Sequence, residues 1–296
     1  MHVLEWLRAS QAILFEASLV PAFVGTAAAV YAGSPFVPLD FLLIVVSLVG
    51  IQAGANFLKG YYEGVGPHTA ASSAGSWLAF DSGAAIRLTR DPRGVWRIGW
   101  ACMIVGIGAG LLLVGLTMNP ILLALGIAGF LLAWSYSAPP LKLSYRGLGE
   151  ISTFLAFGPV MTAGATVAFG MRGISVSLLL SLVFGFLAAA ISFSRYFPNE
   201  AEDRAKGKRT PVTALGVPIA ISLLMGLWWA AIGILLTLPA ADLRFAASWI
   251  AIPFLLGASV SLPRAVRGAA PFSRVIGLTI LAHVMAGAGL VSALLL

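Results

Sequence analysis

The chain has 296 residues, of which 59% are hydrophobic and only 10% are charged. Soluble domains carry roughly 25% charged residues, so the composition excludes a water-soluble globular protein and predicts a chain solvated mainly by a bilayer. The formal net charge is +7, which we attribute to membrane topology and not to nucleic-acid binding. The single cysteine, Cys102, has no partner for a disulfide or a cysteine metal site.

Windows of about 20 apolar residues, long enough to cross a hydrocarbon core, recur along the chain. They predict an all-α polytopic membrane protein of about nine transmembrane helices, which we expect to form a single domain over residues 1–296. The predicted spans are 10–32, 40–60, 97–116, 119–136, 150–170, 174–196, 212–238, 245–262 and 273–295.

Lysines and arginines fall almost entirely in alternate loops between these spans. Of 18 such residues, only Arg172 and Arg244 lie in the opposite loops. The positive-inside rule therefore predicts a cytoplasmic N-terminus, a C-terminus on the opposite side, and residence in the inner (cytoplasmic) membrane of the cell. The long loops at 60–96 and 196–211 would face the cytoplasm, so we expect a functional site at that face.

The second predicted span ends in a run of polar side chains. Asn56, Lys59, Gly60 and Glu63 have i, i+3, i+4, i+7 spacing. This spacing predicts that Asn56, Lys59 and Glu63 share one helical face.

The segment after the sixth span is also polar. If it is helical, Asn199, Glu202, Asp203 and Lys206 share a face, and two such faces at one membrane side would converge on one cavity. Mg²⁺ requires hard oxygen ligands, and the candidates are Glu63, Glu202, Asp203 and the amide oxygens of Asn56 and Asn199. The side chains expected to neutralise a leaving diphosphate are Lys206, Lys208 and Arg209.

A third polar segment, 136–150, joins the fourth and fifth spans at the same membrane side. Its site candidates are Tyr136, Lys142, Tyr145 and Arg146. The alternative for all three segments is that they are ordinary charged loops obeying the positive-inside rule and that the 136–150 turn has no function.

A carboxylate, Glu16, lies within the first span, where ionisable groups usually face a cavity or a partner. We expect it either to orient an acceptor hydroxyl in the cavity or to form a structural hydrogen bond. In the 60–96 loop, Asp81 and the arginines at 87–97 either belong to a lid or are solvated charges. The three histidines, His2, His68 and His283, show no metal-ligand spacing.

Glycines at close spacing predict tight helix packing, because small residues let helices approach in lipid. The candidates are Gly106, Gly108, Gly110, Gly158 and Gly164. No strand precedes any of them, so a dinucleotide-binding turn is excluded.

Three segments resemble the UbiA family of intramembrane prenyltransferases, especially its menaquinone-pathway branch. They are 6–26, 136–150 and 196–216. The most specific part is Glu202-Asp203-Arg204 followed by Gly207-Lys208-Arg209-Thr210, which is similar to the family's second aspartate motif. The resemblance implies a UbiA-like helical bundle over essentially the whole chain.

The resemblance also implies a reaction in which two aspartate motifs bind one or two Mg²⁺ ions and a polyprenyl diphosphate, and an electron-rich acceptor attacks the ionised prenyl group. Asn56 matches the asparagine of the first motif and Asp203 the last aspartate of the second. Basic residues that would hold the diphosphate are Lys142, Arg146, Lys208 and Arg209. The implied function is transfer of a polyprenyl group to an aromatic or other lipid-soluble acceptor in quinone-type biosynthesis, with Asp203, Glu63 and Lys59 as catalytic residues.

The chain departs from the family pattern where Gly60, Glu63 and Asn199 stand in place of aspartates, and where Gln11-Ala12 replaces an Arg-Pro pair. One hypothesis is that Lys59 replaces a metal ion as the counter-charge to diphosphate. The opposite hypothesis is that catalysis is lost and the protein binds a quinone or isoprenoid as an accessory factor or complex subunit. A transporter is disfavoured because the charged residues lie at one face, whereas transporter sites lie near the midplane.

Overall fold

The computed structural model describes residues 3–64 and 84–296, and these residues are predominantly helical. Helices are expected because a lipid environment offers no water to satisfy backbone N–H and C=O groups. The α-helices are α1 (Val3–Ala9), α2 (Glu16–Tyr31), α3 (Pro38–Gly64), α4 (Ala84–Thr89), α5 (Pro92–Thr117), α6 (Pro120–Ser137), α7 (Gly149–Leu155), α8 (Met161–Ala168), α9 (Ile174–Ser194), α10 (Glu200–Ala205), α11 (Pro211–Leu215), α12 (Val217–Thr237), α13 (Ile252–Val266) and α14 (Phe272–Leu295).

Shorter 3₁₀ segments extend some of these helices or lie between them. They are Ala12–Phe15, Leu143–Tyr145, Leu238–Ala240 and Leu243–Ala251. In the part of the chain that the structure describes, nine helical segments are long and apolar enough to cross a membrane, and they confirm the predicted spans to within a few residues. The protein is therefore a multi-pass membrane protein.

The seventh span differs from its prediction at its N-terminal end. It begins at Val217, whereas the apolar window began at 212. Gly216 has φ +82°, a left-handed conformation that favours glycine and interrupts the helix, so α11 is separate from α12.

Two groups of helices pack around separate cores. The larger core joins α2, α9, α12, α13 and α14, with the fully buried side chains Phe184, Leu224, Trp228, Leu255 and Leu290. The smaller core joins α2, α3, α5, α6 and α8. Helices α5 and α6 expose many large apolar side chains, as expected of surfaces that face lipid. The cavity described below lies among the helices of the smaller core, with α9 on its remaining side.

Glycines mark two close helix contacts. A Cβ on Gly106 would lie 2.7 Å from backbone atoms of α3, and one on Gly158 would lie 2.7 Å from backbone of α9. These two positions confirm the predicted tight packing, and Gly110 contacts a serine of α3. The prediction is wrong for Gly108 and Gly164, because a Cβ at either position meets no atom within 4 Å. Gly164 instead borders the cavity.

The fifth span is not one regular α-helix. A π-helical turn, Ala156–Val160, lies between α7 and α8 and contains Pro159. Proline has no backbone N–H and interrupts the regular helical hydrogen bonding, and single π-helical turns are frequent at functional sites. Ala156, Phe157 and Val160 of this turn line the cavity.

Candidate functional site

An apolar cavity of about 470 Å³ lies between α2, α3, α5, α6, the α7–α8 span and α9. It reaches from Ile44 near the beginning of α3 to Lys59 near its end. At the α-helical rise of about 1.5 Å per residue this is a length of about 22 Å. Leucine, alanine and isoleucine are the commonest residues of the walls. Polar side chains gather at one end: Gln11, Gln52, Asn56, Lys59, Tyr136, Ser192 and Arg195.

Lys59 is a buried cation at this polar end, with only 6% of the residue exposed. Its Nζ lies 5.7 Å from the ring centroid of Tyr136. Among residues 3–64 and 84–296, Lys59 forms no side-chain hydrogen bond or ion pair. Arg195 is also buried and lines the same end. The cavity therefore combines apolar walls with two cationic side chains at one end.

Lys208 is buried just as deeply, but it is surrounded by partners. Its Nζ lies 3.6 Å from Glu63 Oε2 and 3.8 Å from Asp203 Oδ1. It also lies 5.4 Å from the ring centroid of Tyr145 and 5.7 Å from that of Tyr196. We call Lys208 with these four side chains the Lys208 cage. Lys208 therefore links the end of α3 to three other segments of the chain.

The pKa values of Lys208, Tyr145, Tyr196 and Asp203 are all raised. Burial opposes the charge of Lys208, yet the Glu63 and Asp203 carboxylates outweigh it and raise the pKa of the Lys208 ammonium. Burial raises the pKa of Tyr145 to about 12, and it raises the pKa of the fully buried Tyr196 as well. Burial also raises the pKa of Asp203, against the attraction of Lys208.

Further contacts fix the end of α3. Glu63 Oε1 accepts hydrogen bonds from Ser137 Oγ at 3.0 Å and Ser144 Oγ at 3.4 Å. Lys206 Nζ donates to the Glu63 carbonyl oxygen at 3.0 Å and pairs with Glu202 Oε1 at 2.5 Å. The predicted helical continuation to Glu63 is confirmed, since α3 runs to Gly64.

The polar segment after the sixth span was predicted to place Asn199, Glu202, Asp203 and Lys206 on one helical face. The helix that forms there is too short to include all four residues. Helix α10 covers only Glu200–Ala205, with Asn199 at its N-cap and Lys206 at its C-cap. Asp203 is buried against Lys208, whereas Glu202 pairs with Lys206. The two acidic neighbours therefore have different lysine partners.

The remaining basic candidates lie outside the cavity walls. Lys142 Nζ lies 5.3 Å from the Tyr145 ring centroid, and the exposed Arg146 donates from Nη2 to the Pro140 carbonyl at 2.9 Å. Arg209 has an exposed side chain, and its backbone N–H donates to the Tyr145 carbonyl at 3.1 Å. None of these three basic residues lines the cavity.

The carboxylates do not form the predicted magnesium ligand set. Among the described residues, no three His, Cys, Asp or Glu side chains come together in a group that would hold a metal ion. Lys208 lies against both Glu63 and Asp203, and Asn56 Nδ2 donates to the Ser10 carbonyl at 2.8 Å. Glu63 and Asp203 both lie against Lys208, and Glu202 pairs with Lys206, so these three candidate carboxylates already have ammonium partners and this donor set does not fit a pair of Mg²⁺ ions held by the protein.

Glu16 lies away from the cavity walls, between α2 and α14. Its Oε2 lies 2.5 Å from Nδ1 of the fully buried His283, whose ring is 5.3 Å from that of Phe184. This pairing supports the structural alternative for Glu16. His2, His68 and Asp81 lie outside the described residues.

Arg195, Ser192 and Gln52 line the polar end but were not among the site candidates from the sequence. Gln52 stands four residues before Asn56, so it extends the polar face of α3 by one turn. Ser192 and Arg195 are three residues apart at the end of α9. Polar residues at helical spacing near the ends of the second and sixth spans were the sequence signal that could have identified these three residues.

An apolar membrane cavity with cations at one end is suited to a lipid that carries an anionic head group. A family model, the UbiA prenyltransferase family, matches residues 84–292. The chain belongs to this family.

Relatives from the phylloquinone and menaquinone pathways resemble the chain along much of its length. It is 28% identical over 224 residues to 2-carboxy-1,4-naphthoquinone phytyltransferase of Arabidopsis thaliana, covering 71% of this chain and 54% of the relative. It is 26% identical over 263 residues to 1,4-dihydroxy-2-naphthoate octaprenyltransferase of Bacillus subtilis, covering 85% of this chain and 78% of the relative. The chain thus spans about half of the plant relative and most of the bacterial one.

Solved structures of two archaeal homologues share the fold. An apo UbiA homologue from Aeropyrum pernix superposes with a TM-score of 0.68 at 17% identity, covering 93% of this chain and 96% of that one. A UbiA homologue from Archaeoglobus fulgidus bound to GPP and Mg²⁺ superposes with a TM-score of 0.59 at 15% identity, covering 96% and 99%. At these identities the likeness concerns the fold.

Proposed function

We propose that this protein transfers a polyprenyl group from its diphosphate to an aromatic or other lipid-soluble acceptor of the quinone type. The observation that carries the proposal is the apolar cavity of about 470 Å³ with Lys59 and Arg195 at its polar end. The walls are suited to a prenyl chain, and the two cations to a diphosphate. Family membership and the naphthoate-type relatives support the same reaction class.

The proposed reaction exchanges one bond of the prenyl carbon C1 for another. The C1–O bond breaks, and its electron pair leaves on the diphosphate. A carbon of the acceptor ring forms a bond to C1, and the proton it loses passes to the released diphosphate. Fixed cations beside the leaving oxygen would stabilise the charge that develops there. The water-poor cavity would protect the prenyl cation from hydrolysis.

The proposed setting is the inner membrane, with the N-terminus and the polar end of the cavity on the cytoplasmic side. The distribution of lysine and arginine supports this orientation, because only Arg172 and Arg244 fall in the opposite loops. A water-soluble diphosphate product would then leave into the cytoplasm.

The donor set favours a second candidate function. No three carboxylates or other ligating side chains gather within the described residues, which is what a binding protein derived from a prenyltransferase would also show. In that case the protein would hold a quinone or isoprenoid in the cavity as an accessory subunit.

The deciding experiment is diphosphate release by the purified protein. It should be supplied with long-chain prenyl diphosphates and a panel of naphthoate, benzoate and other acceptors, with Mg²⁺ or with EDTA. Acceptor-dependent release of diphosphate with formation of prenylated product would establish the transferase. Arg195→Met should reduce release, whereas Arg264→Met, which removes an exposed charge at the same membrane side, should not. Retention of bound lipid without any release would establish the binding protein.

A further inference from the structure

We infer that Lys59, with Arg195, is the counter-charge for the prenyl diphosphate, and that these fixed side chains replace the metal ions as the main cations of the site. This inference rests on the proposed function, because it identifies the part of the substrate that the polar end binds. It concerns how the head group is held, so binding alone can test it.

Lys59 is an unpaired ammonium directed into the cavity. It is 6% exposed, it lines the polar end, and within the described residues its one direct contact is the Tyr136 ring. The Glu63 carboxylate attracts it from beyond ion-pair distance, but Glu63 is itself paired with Lys208, and Arg195 and Lys208 repel Lys59. An ammonium removed from water without a counter-ion in contact is costly, and a cation–π contact offsets only part of that cost. An anionic ligand would supply the missing counter-charge.

The position of Lys59 identifies which part of the ligand is anionic. The cavity runs about 22 Å along α3 from Lys59 to Ile44 at the α-helical rise, and its walls are mainly apolar beyond the polar end that Gln52 and Asn56 share with Lys59. A ligand that fills this space is a long apolar chain with its charged group at one end. A prenyl diphosphate has this shape. Arg195 enters the same end from α9, and its planar guanidinium can hold two phosphate oxygens at once.

Lys208 does not serve as this counter-charge. Its ammonium already contacts Glu63 and Asp203 and lies against two tyrosine rings. The same contacts occupy the two carboxylates that a metal would need. Lys208 thus stabilises the fold, whereas Lys59 and Arg195 are placed to bind the ligand.

The acceptor is the other source of an anion, since a naphthoate acceptor carries a carboxylate. The apolar length behind Lys59 favours the prenyl diphosphate, because a bicyclic acid would leave most of the cavity empty. An experiment with both ligands separates the two sources.

The test measures binding of a non-hydrolysable prenyl thiolodiphosphate to the purified full-length protein, in EDTA and in Mg²⁺. The wild-type protein should bind it in EDTA with an affinity close to that in Mg²⁺. Lys59→Met should weaken binding by about tenfold or more, the effect of losing a hydrogen bond to a charged group. Lys59→Arg should recover part of the affinity, and Arg264→Met should leave it unchanged.

Two results would overturn the inference: loss of binding in EDTA, or wild-type affinity in Lys59→Met. A Lys59→Met variant that loses affinity only for dihydroxynaphthoate would assign Lys59 to the acceptor and overturn it as well. Metal-independent binding that depends on Lys59, in a protein that releases no diphosphate, would instead refute the proposed transferase and leave this inference standing.

Discussion

Lys59 and Lys208 are both 6% exposed, yet they have opposite surroundings. Lys208 contacts two carboxylates and two aromatic rings, whereas Lys59 contacts one aromatic ring, feels Glu63 only from beyond ion-pair distance and faces the cavity. A buried charge with partners belongs to the fold, because its removal leaves those partners uncompensated. A buried charge without a counter-ion lowers stability until a ligand supplies one. Burial alone therefore does not distinguish a structural lysine from a binding lysine.

The largest expected effect is that of Lys208→Met. It leaves Glu63 and Asp203 buried without their cation, and breaking such a pair costs about 3–5 kcal/mol. The thermal midpoint of the purified protein in detergent should fall by about 10 °C. Adding Glu63→Gln and Asp203→Asn should restore most of the loss. An unchanged midpoint in the single variant would mean that the cage does not stabilise the fold.

The second-largest effect is expected at alkaline pH, which should reduce the stability that the Lys208 cage contributes. The pKa of Tyr145 is raised to about 12 from an ordinary value of 10.0, and the pKa values of Lys208 and Tyr196 are raised as well. The unfolded chain therefore releases these protons at a lower pH than the folded protein does, so stability is lost as the pH rises from about 10 towards 12. Thermal midpoints across this range measure the loss. Tyr145→Phe keeps the ring and should reduce the slope; an equal slope would exclude Tyr145 as a contributor.

The effect of Lys59→Met on the stability of the ligand-free protein should be opposite in sign to that of Lys208→Met. It removes a buried ammonium that forms no ion pair within the described residues and that Arg195 and Lys208 repel, so the ligand-free protein should be as stable as wild type or more stable by about 1 kcal/mol. The same thermal measurement checks this, with Arg264→Met as the exposed control. Strong destabilisation by Lys59→Met would show that the two lysines play the same structural role.

A similarly small effect, of destabilising sign, is expected for Tyr136→Phe. The change keeps the ring near Lys59 but removes the hydroxyl that lies 3.2 Å from Ser192 Oγ. The loss of one hydrogen bond should cost about 1 kcal/mol and lower the midpoint by about 2 °C. Tyr136→Leu, which also removes the ring, should affect the Lys59 environment more. Equal effects of the two variants would exclude a contribution from the ring.

The sequence predicted the parts of this comparison that lie on one helix. Nine apolar windows predicted the spans, and the spacing of Asn56, Lys59 and Glu63 predicted a polar helix end, because hydropathy and helical period are local properties. The partners of each lysine were not predictable in this way. The Lys208 cage joins Glu63 of α3 to Tyr145, Tyr196 and Asp203, all of which lie far from Glu63 in the chain.

The glycines and the basic residues show the same limit. Gly106 and Gly108 have similar surroundings in the sequence, but only Gly106 faces α3. Lys208 and Arg209 are neighbours, but only Lys208 is buried. Arg195 was counted as a loop charge, although it enters the cavity from the end of α9. Local patterns identify which residues are polar or small, and tertiary packing decides what each of them contacts.

The π-helical turn Ala156–Val160 has a consequence for how this chain tolerates changes in length. A π-helical hydrogen bond closes one residue further along the chain than an α-helical one, so deleting one residue from this turn would leave a regular α-helix. Met161, Gly164 and Ala165 of α8, which line the cavity, would then keep facing it. A deletion from the regular helix α7 would instead rotate everything beyond it by about 100°, so the π-helical turn is where the fifth span absorbs a change of length.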